Sequence, residues 1–282
     1  MRIKLFLLFA FACLVNPAKS QLIKAGNAIE EQKLGKSGLF KQITFKGKRY
    51  FICEVDPRQY NITLFNKLQN EAETYSFTTI SSLKKKKLLF AMNGGMFEKD
   101  FNPVGLFVTD GKTYKPLKTS GGTGNFYDLK PNSVFMIDSN NNPQVVTSEN
   151  FAAEKYKAEI ATQSGPMLVI DRTLNNNFKE ASLNINIRNG VGITGKHSVV
   201  FVISVNKVDF YEMAQLFRDK LNCDNALYLD GFVSQYFAPE LQSAPEPGVP
   251  LGVFIAVSRK WRERKMLCLH FHFTQNLISF NP

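Results

Sequence analysis

The sequence predicts an α+β fold: a single domain on a large mixed or mostly antiparallel sheet with a few packed helices. Short apolar and β-branched runs recur between turn residues, and only two segments show helical periodicity. No internal repeat and no Pro/Gly/Ser-rich linker divides the 282 residues, of which 44% are hydrophobic and 21% charged. We therefore expect the body of the chain to build one core.

Three hairpins are predicted from turn residues between apolar runs. Residues 42–54 break at Lys46-Gly47-Lys48, and Asp110-Gly111 separates two further strands within 104–117. The third hairpin, within 133–147, turns at an Asn-rich segment. The remaining predicted strands are apolar runs of the kind buried in sheets: 61–65, 88–92, 167–170, 199–205, 227–229 and 253–257.

Two helices are predicted. Residues 151–160 repeat apolar side chains at helical intervals, and 209–221 follow Asp209, a residue suited to an N-cap. The apolar face of the second helix consists of Met213, Leu216, Phe217 and Leu221.

The N-terminal twenty residues have the features of a cleaved signal peptide. Arg2 and Lys4 precede an apolar run at 5–15, and small residues follow up to Ser20. The run is too short to span a bilayer, which takes about 20 apolar residues. A lipid anchor on Cys13 is the alternative, disfavoured because that cysteine lies inside the run. We expect 1–20 to be removed and the protein to be periplasmic or secreted, without stable membrane insertion.

The domain is expected to span 21–258, and 259–282 form a basic C-terminal tail of unknown role. The formal net charge of +11 lies largely outside the domain, in the first twenty residues and in 259–265. The lysine run at 84–87 has no interleaved aromatic residues, so nucleic acid is not an expected partner. The sequence leaves the oligomeric state open.

No cofactor or metal is expected. Of three histidines only His197 lies in the body, and the chain has no Cys-x-x-Cys motif. Cys53 and Cys223 lie in apolar runs, and an exported protein could pair them or bury both as thiols.

Three strand ends carry the candidate site. Segments 91–97, 187–192 and 227–234 each pass from an apolar run into glycine, beside Asn93, Arg188 and Asp230 respectively. Each alone is typical of a tight turn. Together they supply an amide, a guanidinium and a carboxylate, so we predict that these three residues line one pocket for a small polar ligand.

The same segments carry a family resemblance. Asn93-Gly94-Gly95-Met96-Phe97, followed by 103–106, resembles the start of the phosphodiester glycosidase domain, and 164–169, 187–192 and 226–231 resemble its later motifs in the same order. The likeness runs from about residue 45 to 257. It implies an exported hydrolase that splits a sugar from a sugar-1-phosphodiester, with envelope or exopolysaccharide glycans as substrates. The Asp–Gly–Gly–Gly–Ser–Ser of the lysosomal member is here 230–234, with Phe232 and Val233 in the loop, which leaves the substrate open.

The resemblance implies roles for particular residues. Asp230 would act as general acid, general base or electrostatic stabiliser, Arg188 would bind the phosphate through its planar fork of donors, and Asn93 would complete the catalytic group. The implied substrate-binding residues are Gly94, Gly95, Ser164, His197, Gly231 and Ser234.

A glycosidase of the usual design has a second carboxylate. Glu98, Asp100 and Glu180 lie near the motifs, but the sequence does not select one of them. The alternative function is a non-catalytic carbohydrate- or cell-envelope-binding module on the same scaffold, since a fold does not fix a function.

Overall fold

The residues that the structure describes form three antiparallel sheets with a few short helices, and the predicted α+β class is confirmed. The computed structural model describes residues 31–69, 88–119, 130–231, 234–243 and 251–260. The predicted signal peptide and nearly all of the C-terminal tail lie outside these residues. Within them, no helix has the length and apolar character needed to cross a membrane.

The strands are short and follow one another closely along the chain. In order they are β1 (Glu31–Leu34), β2 (Phe40–Phe45), β3 (Lys48–Val55), β4 (Tyr60–Phe65), β5 (Leu88–Asn93), β6 (Phe107–Thr109), β7 (Lys112–Lys115), β8 (Ser133–Ile137), β9 (Pro143–Thr147), β10 (Ile160–Ser164), β11 (Met167–Ile170), β12 (Thr173–Leu174), β13 (Asn189–Thr194), β14 (Val199–Ser204), β15 (Cys223–Tyr228), β16 (Tyr236–Phe237) and β17 (Phe254–Arg259). The α-helices of the described part are α1 (Ser148–Glu154) and α2 (Phe210–Gln215), and a π-helical turn, Leu216–Lys220, extends α2. Short 3₁₀ turns lie at Lys67–Gln69 and Pro239–Leu241.

The strands are divided among a large sheet and two small ones. The eight-stranded sheet has the order β1-β2-β3-β14-β13-β15-β11-β12. The five-stranded sheet has the order β7-β6-β10-β8-β9, and the four-stranded sheet β16-β5-β17-β4. Every pairing between these strands is antiparallel.

The three predicted hairpins are confirmed as β2–β3, β6–β7 and β8–β9. At the first turn Lys46 and Gly47 have φ values of 49° and 74°, and at the second Asp110 and Gly111 have 51° and 67°. Two consecutive positive φ angles match the right-handed twist of the flanking strands, which is why these dipeptides end a strand reliably.

The second predicted helix is confirmed. Of the first, only the N-terminal part is helical. At the start of α2, the Asp209 carboxylate accepts the Glu212 N–H at 2.8 Å, and the Glu212 side chain accepts the Asp209 N–H at 3.0 Å. Helix α1 begins earlier than predicted and ends at Glu154, because Lys155 is left-handed with φ 51°. Ile160 belongs to β10, where it pairs with Ile137.

The eight-stranded sheet has a core on each face. One face packs against the two smaller sheets through an aromatic cluster in which Phe90 stacks on Phe51 and Phe201. The other face packs against α2 and its extension. Cys53 lies in the first core and Cys223 in the second; both are buried free thiols, so they do not pair with each other.

Two of the sheets approach each other closely at Gly95, a glycine of the first motif. A Cβ on Gly95 would lie 2.6 Å from Thr162 Oγ1 and 3.0 Å from the Gln163 carbonyl oxygen, so the chain after β5 rests directly on β10. Only a residue without a side chain fits this approach.

We expect Gly95→Ala to lower the free energy of unfolding by about 1–3 kcal/mol, because β10 must move to admit the methyl group. Chemical denaturation measures this change. Gly195→Ala is the matched control, since a Cβ there meets nothing within 4 Å. Equal stabilities for the two variants would contradict the close contact with β10.

Candidate functional site

Strand ends from all three sheets meet at one place. Asn93 is the last residue of β5, Ser164 the last of β10, and Asn189 the first of β13. Asp230 follows the end of β15. The Ser164 hydroxyl donates to the Leu229 carbonyl at 2.5 Å, which joins the five-stranded and eight-stranded sheets beside Asp230.

Two buried carboxamides hold the backbone of Asp230. Asn93 Nδ2 donates to the Asp230 carbonyl at 2.8 Å, and the Asp230 N–H donates to Asn189 Oδ1 at 2.8 Å. Asn189 Nδ2 also donates to the Asn93 carbonyl at 3.3 Å, and Asn93 Oδ1 accepts the Gln235 N–H at 3.0 Å. Asn93 and Asn189 are only 1% and 0% exposed, so this pair, which we call the carboxamide clamp, holds Asp230 from the interior of the protein. Asp230 itself is half-buried.

Arg188 is buried in the core next to the site and is not exposed at its surface. Its side chain is 0% exposed and stacks on Phe210, with the guanidinium carbon 3.7 Å from the ring centre. Nε donates to the Val208 carbonyl at 2.9 Å, and an Nη donates to the Asn184 carbonyl at 2.7 Å. Burial lowers the pKa of this guanidinium. The planar guanidinium therefore donates to backbone carbonyl groups of two neighbouring segments and holds them together.

Tyr228 connects Arg188 to the Asp230 loop. Its hydroxyl oxygen accepts the Gly231 N–H at 2.5 Å and is also hydrogen-bonded by the Arg188 guanidinium. Burial raises the pKa of Tyr228 to about 12; the Arg188 charge lowers it and the Asp230 charge raises it. The phenol is therefore neutral at ordinary pH, and it feels the charges of both the Arg188 guanidinium and the Asp230 carboxylate.

The glycines and serines predicted to bind substrate make contacts within the protein itself. The Gly94 N–H donates to the Val253 carbonyl at 2.8 Å, and the Gly231 N–H is held by Tyr228. Ser164 is fully buried. Ser234 is half-buried, and its hydroxyl lies 3.4 Å from the carbonyls of both Ile187 and Gly231.

His197 is not brought to this site. It is exposed, with φ 58°, in the turn after β13, and about 17 Å of strand separates the two ends of β13. Of the candidate second carboxylates, Glu98, Asp100 and Glu180 are all exposed. The Asn102 N–H binds Asp100 and lowers the pKa of that carboxyl group. Among the residues that the structure describes, no three His, Cys, Asp or Glu side chains gather as a metal site would require.

Sequence reasoning missed Asn189 and Tyr228, although both lie inside the segments that it singled out. Neither carries a charge at neutral pH, and their importance comes from contacts with residues distant in the sequence. Asn189 reaches Asp230 and Asn93, while Tyr228 reaches Gly231 and Arg188. The signals that the sequence offered for these two residues were an Asn next to a glycine and a Tyr two residues before Asp230.

We expect Asn189→Ala to lower the free energy of unfolding by about 2–3 kcal/mol, because it leaves the Asp230 N–H and the Asn93 carbonyl without their partner. Denaturant unfolding measures this loss. Asn140→Ala, in the exposed β8–β9 turn, is the control and should change stability by less than about 0.5 kcal/mol. A stable Asn189→Ala protein would show that the clamp does not hold the site.

A family model covers the candidate site. Residues 86–255 match the model described as phosphodiester glycosidase, and this span includes all four motifs quoted from the sequence. Among curated proteins, the chain is 33% identical over 170 residues to "Uncharacterized protein YigE" of Escherichia coli strain K12. That match spans 60% of this chain and 65% of YigE, so the chain covers less than two thirds of its relative.

Solved structures with the same fold have low sequence identity. The catalytic domain of zebrafish N-acetylglucosamine-1-phosphodiester alpha-N-acetylglucosaminidase, auto-inhibited by its pro-peptide, matches with a TM-score of 0.57 and 15% identity, over 83% of this chain and 85% of that one. A hypothetical protein from Synechocystis matches with a TM-score of 0.51 and 14% identity, over 78% and 62%. A putative exported protein from Burkholderia pseudomallei matches with a TM-score of 0.51 and 12% identity, over 75% and 74%.

Proposed function

Because the chain belongs to the phosphodiester glycosidase family, we propose that it hydrolyses the bond between the anomeric carbon of a sugar and a phosphodiester, with Asp230 at the reacting centre. One observation carries the proposal. The Asp230 carboxylate follows a strand end at which three sheets meet, and buried carboxamides fix both of its peptide groups. A residue whose backbone is fixed before substrate arrives can present its carboxylate to the transition state with little rearrangement of the chain.

The reaction needs few protein groups. Water adds to the anomeric carbon, the bond from that carbon to the phosphate oxygen breaks, and the electron pair leaves with a phosphomonoester. The proton of the attacking water passes to Asp230 and then to solvent, and the same carboxylate stabilises the positive charge that develops on the sugar ring. Because the leaving phosphate oxygen is a weak base, a second carboxylate to protonate it contributes little.

Arg188 and Tyr228 take supporting roles in this proposal. The Arg188 guanidinium is engaged by carbonyl groups and by the Phe210 ring, so it acts on the site through Tyr228 and Gly231 rather than by gripping phosphate. The neutral Tyr228 phenol fixes the loop that follows Asp230. Both are positioning residues.

Substrate and location are proposed on narrower grounds. The first twenty residues have the pattern of a signal peptide, and the structural neighbour from Burkholderia pseudomallei is described as a putative exported protein. We take the substrate to be a sugar-1-phosphodiester of an envelope or exopolysaccharide glycan. The name of the zebrafish enzyme makes N-acetylglucosamine the first sugar to test.

A non-catalytic binding module on the same scaffold is the second candidate. The burial of Arg188 favours it, because a catalytic site for a phosphodiester usually presents a cation to the substrate. The two candidates differ in one simple respect, since a binding module leaves its ligand intact.

Release of free sugar decides between them. Purified protein is incubated with methyl phosphodiesters of N-acetylglucosamine, glucose and mannose linked at C1, and reducing sugar and methyl phosphate are quantified together. The proposal predicts equal amounts of both products from at least one diester. Binding of a diester by calorimetry with no product would favour the binding module and contradict the hydrolase.

A further inference from the structure

Two carboxamide oxygens of the described residues are buried without a hydrogen-bond partner: Asn102 Oδ1 and Gln235 Oε1. A buried acceptor without a donor lowers the stability of a fold, so each calls for an explanation. The Asn102 side chain is held locally, because its Nδ2 donates to the Asp100 carboxylate at 2.5 Å in an exposed turn. Gln235, by contrast, is hydrogen-bonded to the other described residues through its backbone alone.

Gln235 lies next to Asn93 and Asp230. Strand β16 pairs with β5, with Tyr236 opposite Met92. The next step of this ladder places Gln235 opposite Asn93, and the Asn93 N–H donates to the Gln235 carbonyl at 3.4 Å. The Asn93 carboxamide accepts the Gln235 N–H at 3.0 Å and donates to the Asp230 carbonyl at 2.8 Å. One side chain therefore contacts the backbone of both residues.

The direction of the Gln235 side chain follows from that of its neighbour. Tyr236 stacks on Phe51 in the core between the sheets, with the ring centres 4.1 Å apart. Successive side chains of an extended segment point to opposite faces, and residues opposite each other in a ladder share a face. Gln235 therefore points away from this core, to the same face as Asn93. It is half-buried there, beside the carboxamide clamp that holds Asp230.

An acceptor oxygen at this place determines which part of a substrate it can bind. The phosphate of a phosphodiester at neutral pH offers only acceptor oxygens, whereas a sugar carries several hydroxyl donors. A glutamine side chain has several rotatable bonds, so the oxygen can turn from its buried position to meet a hydroxyl group. It then exchanges an unpaired state for a hydrogen bond, and a substrate with that hydroxyl binds better than one without it.

We propose that Gln235 is a sugar-binding residue of the candidate site, and that its Oε1 accepts a hydrogen bond from one hydroxyl group of the sugar. The inference rests on the proposed function, because it places the sugar of the diester beside the loop that follows Asp230. Gln235 would then select between sugars that differ at a single hydroxyl group.

Stability separates this role from a purely structural one. Replacing a buried acceptor that lacks a partner by an apolar group of similar size is neutral or stabilising. We therefore expect Gln235→Leu to keep or raise the midpoint of chemical denaturation. Gln32→Leu, at an exposed glutamine on the edge strand β1, is the matched control. A Gln235→Leu protein that is less stable than this control would show that the carboxamide supports the fold, and would overturn the proposal.

Substrates that lack one hydroxyl group test the hydrogen bond itself. Methyl phosphodiesters of the accepted sugar, each without one hydroxyl, are compared with the parent diester by kcat/KM. In the unaltered protein, one of these deoxy diesters should react about three- to tenfold less well, which is the contribution of a single hydrogen bond. In Gln235→Leu this difference should disappear, while Gln32→Leu should keep it. Each comparison is made within one protein, so a general loss of activity cancels.

Calorimetry separates this inference from the proposed hydrolysis. If no diester is hydrolysed, the ratio of dissociation constants for the parent and deoxy diesters replaces the ratio of kcat/KM. Binding with the expected selectivity but without turnover would contradict the hydrolase and support the role of Gln235. Turnover with the same selectivity in the unaltered and Gln235→Leu proteins would overturn the role of Gln235 alone. If no diester binds, both proposals are overturned.

Discussion

Asp230→Asn is expected to lower kcat/KM for a sugar-1-phosphodiester by about 30- to 1,000-fold, which corresponds to about 2–4 kcal/mol of transition-state stabilisation. The substitution removes the charge without changing the shape of the side chain. The backbone at this position is held by Asn93 and Asn189, whose contacts do not involve the carboxylate. The fold and ground-state binding should therefore persist, which thermal unfolding and calorimetry with the intact diester would check.

Asp224→Asn is the matched control because Asp224 lies on the same strand, β15, in an exposed ion pair with Arg172. Exposed pairs contribute little to stability, so this variant should keep both activity and fold. Normal turnover by Asp230→Asn would remove that carboxylate from the mechanism. Equal losses in both variants would point to a general charge effect.

Arg188→Lys is expected to lower the free energy of unfolding by about 2–4 kcal/mol, because one ammonium group cannot reproduce the separate bonds to Val208 and Asn184 or the stack on Phe210. Chemical denaturation measures the change. Activity should fall as well, since Arg188 holds Tyr228 and, through it, the loop after Asp230.

Arg172→Lys, at an exposed arginine, should change stability by less than about 0.5 kcal/mol. The phosphate-binding role that the family resemblance implies for Arg188 predicts that Arg188→Lys weakens substrate binding and rate together. The buried position changes the expected main effect to stability. Unaltered stability with a raised KM would contradict the buried role and return Arg188 to direct contact with substrate.

Local signals predicted the parts of the fold that local chemistry determines. The Lys46-Gly47 and Asp110-Gly111 turns adopt the positive φ angles that such residues tolerate, and Asp209 caps its helix as its residue type suggests. The helix expected to run to Ile160 failed for a non-local reason. Lys155 ends it, and Ile160 pairs with Ile137 in a strand whose partner lies 23 residues earlier in the chain.

The candidate site shows the same limit. The segments of the site were recognisable in the sequence because a glycine beside a polar residue marks a strand end. The sequence did not show on which face of the sheet each polar side chain would lie. Arg188 and Asn189 are consecutive, so they point to opposite faces, one toward Phe210 and the other toward Asn93. No pattern in the sequence states that the charged residue faces the core and that the neutral one reaches the site.

The bond that breaks is the most direct test of the proposed function. Hydrolysis of a sugar-1-phosphodiester in ¹⁸O-labelled water, followed by mass spectrometry of both products, shows which atom the water attacked. Attack at the anomeric carbon predicts label in the released sugar and none in the phosphomonoester. Label in the phosphomonoester would show cleavage of the phosphorus–oxygen bond and contradict a glycosidase mechanism centred on Asp230.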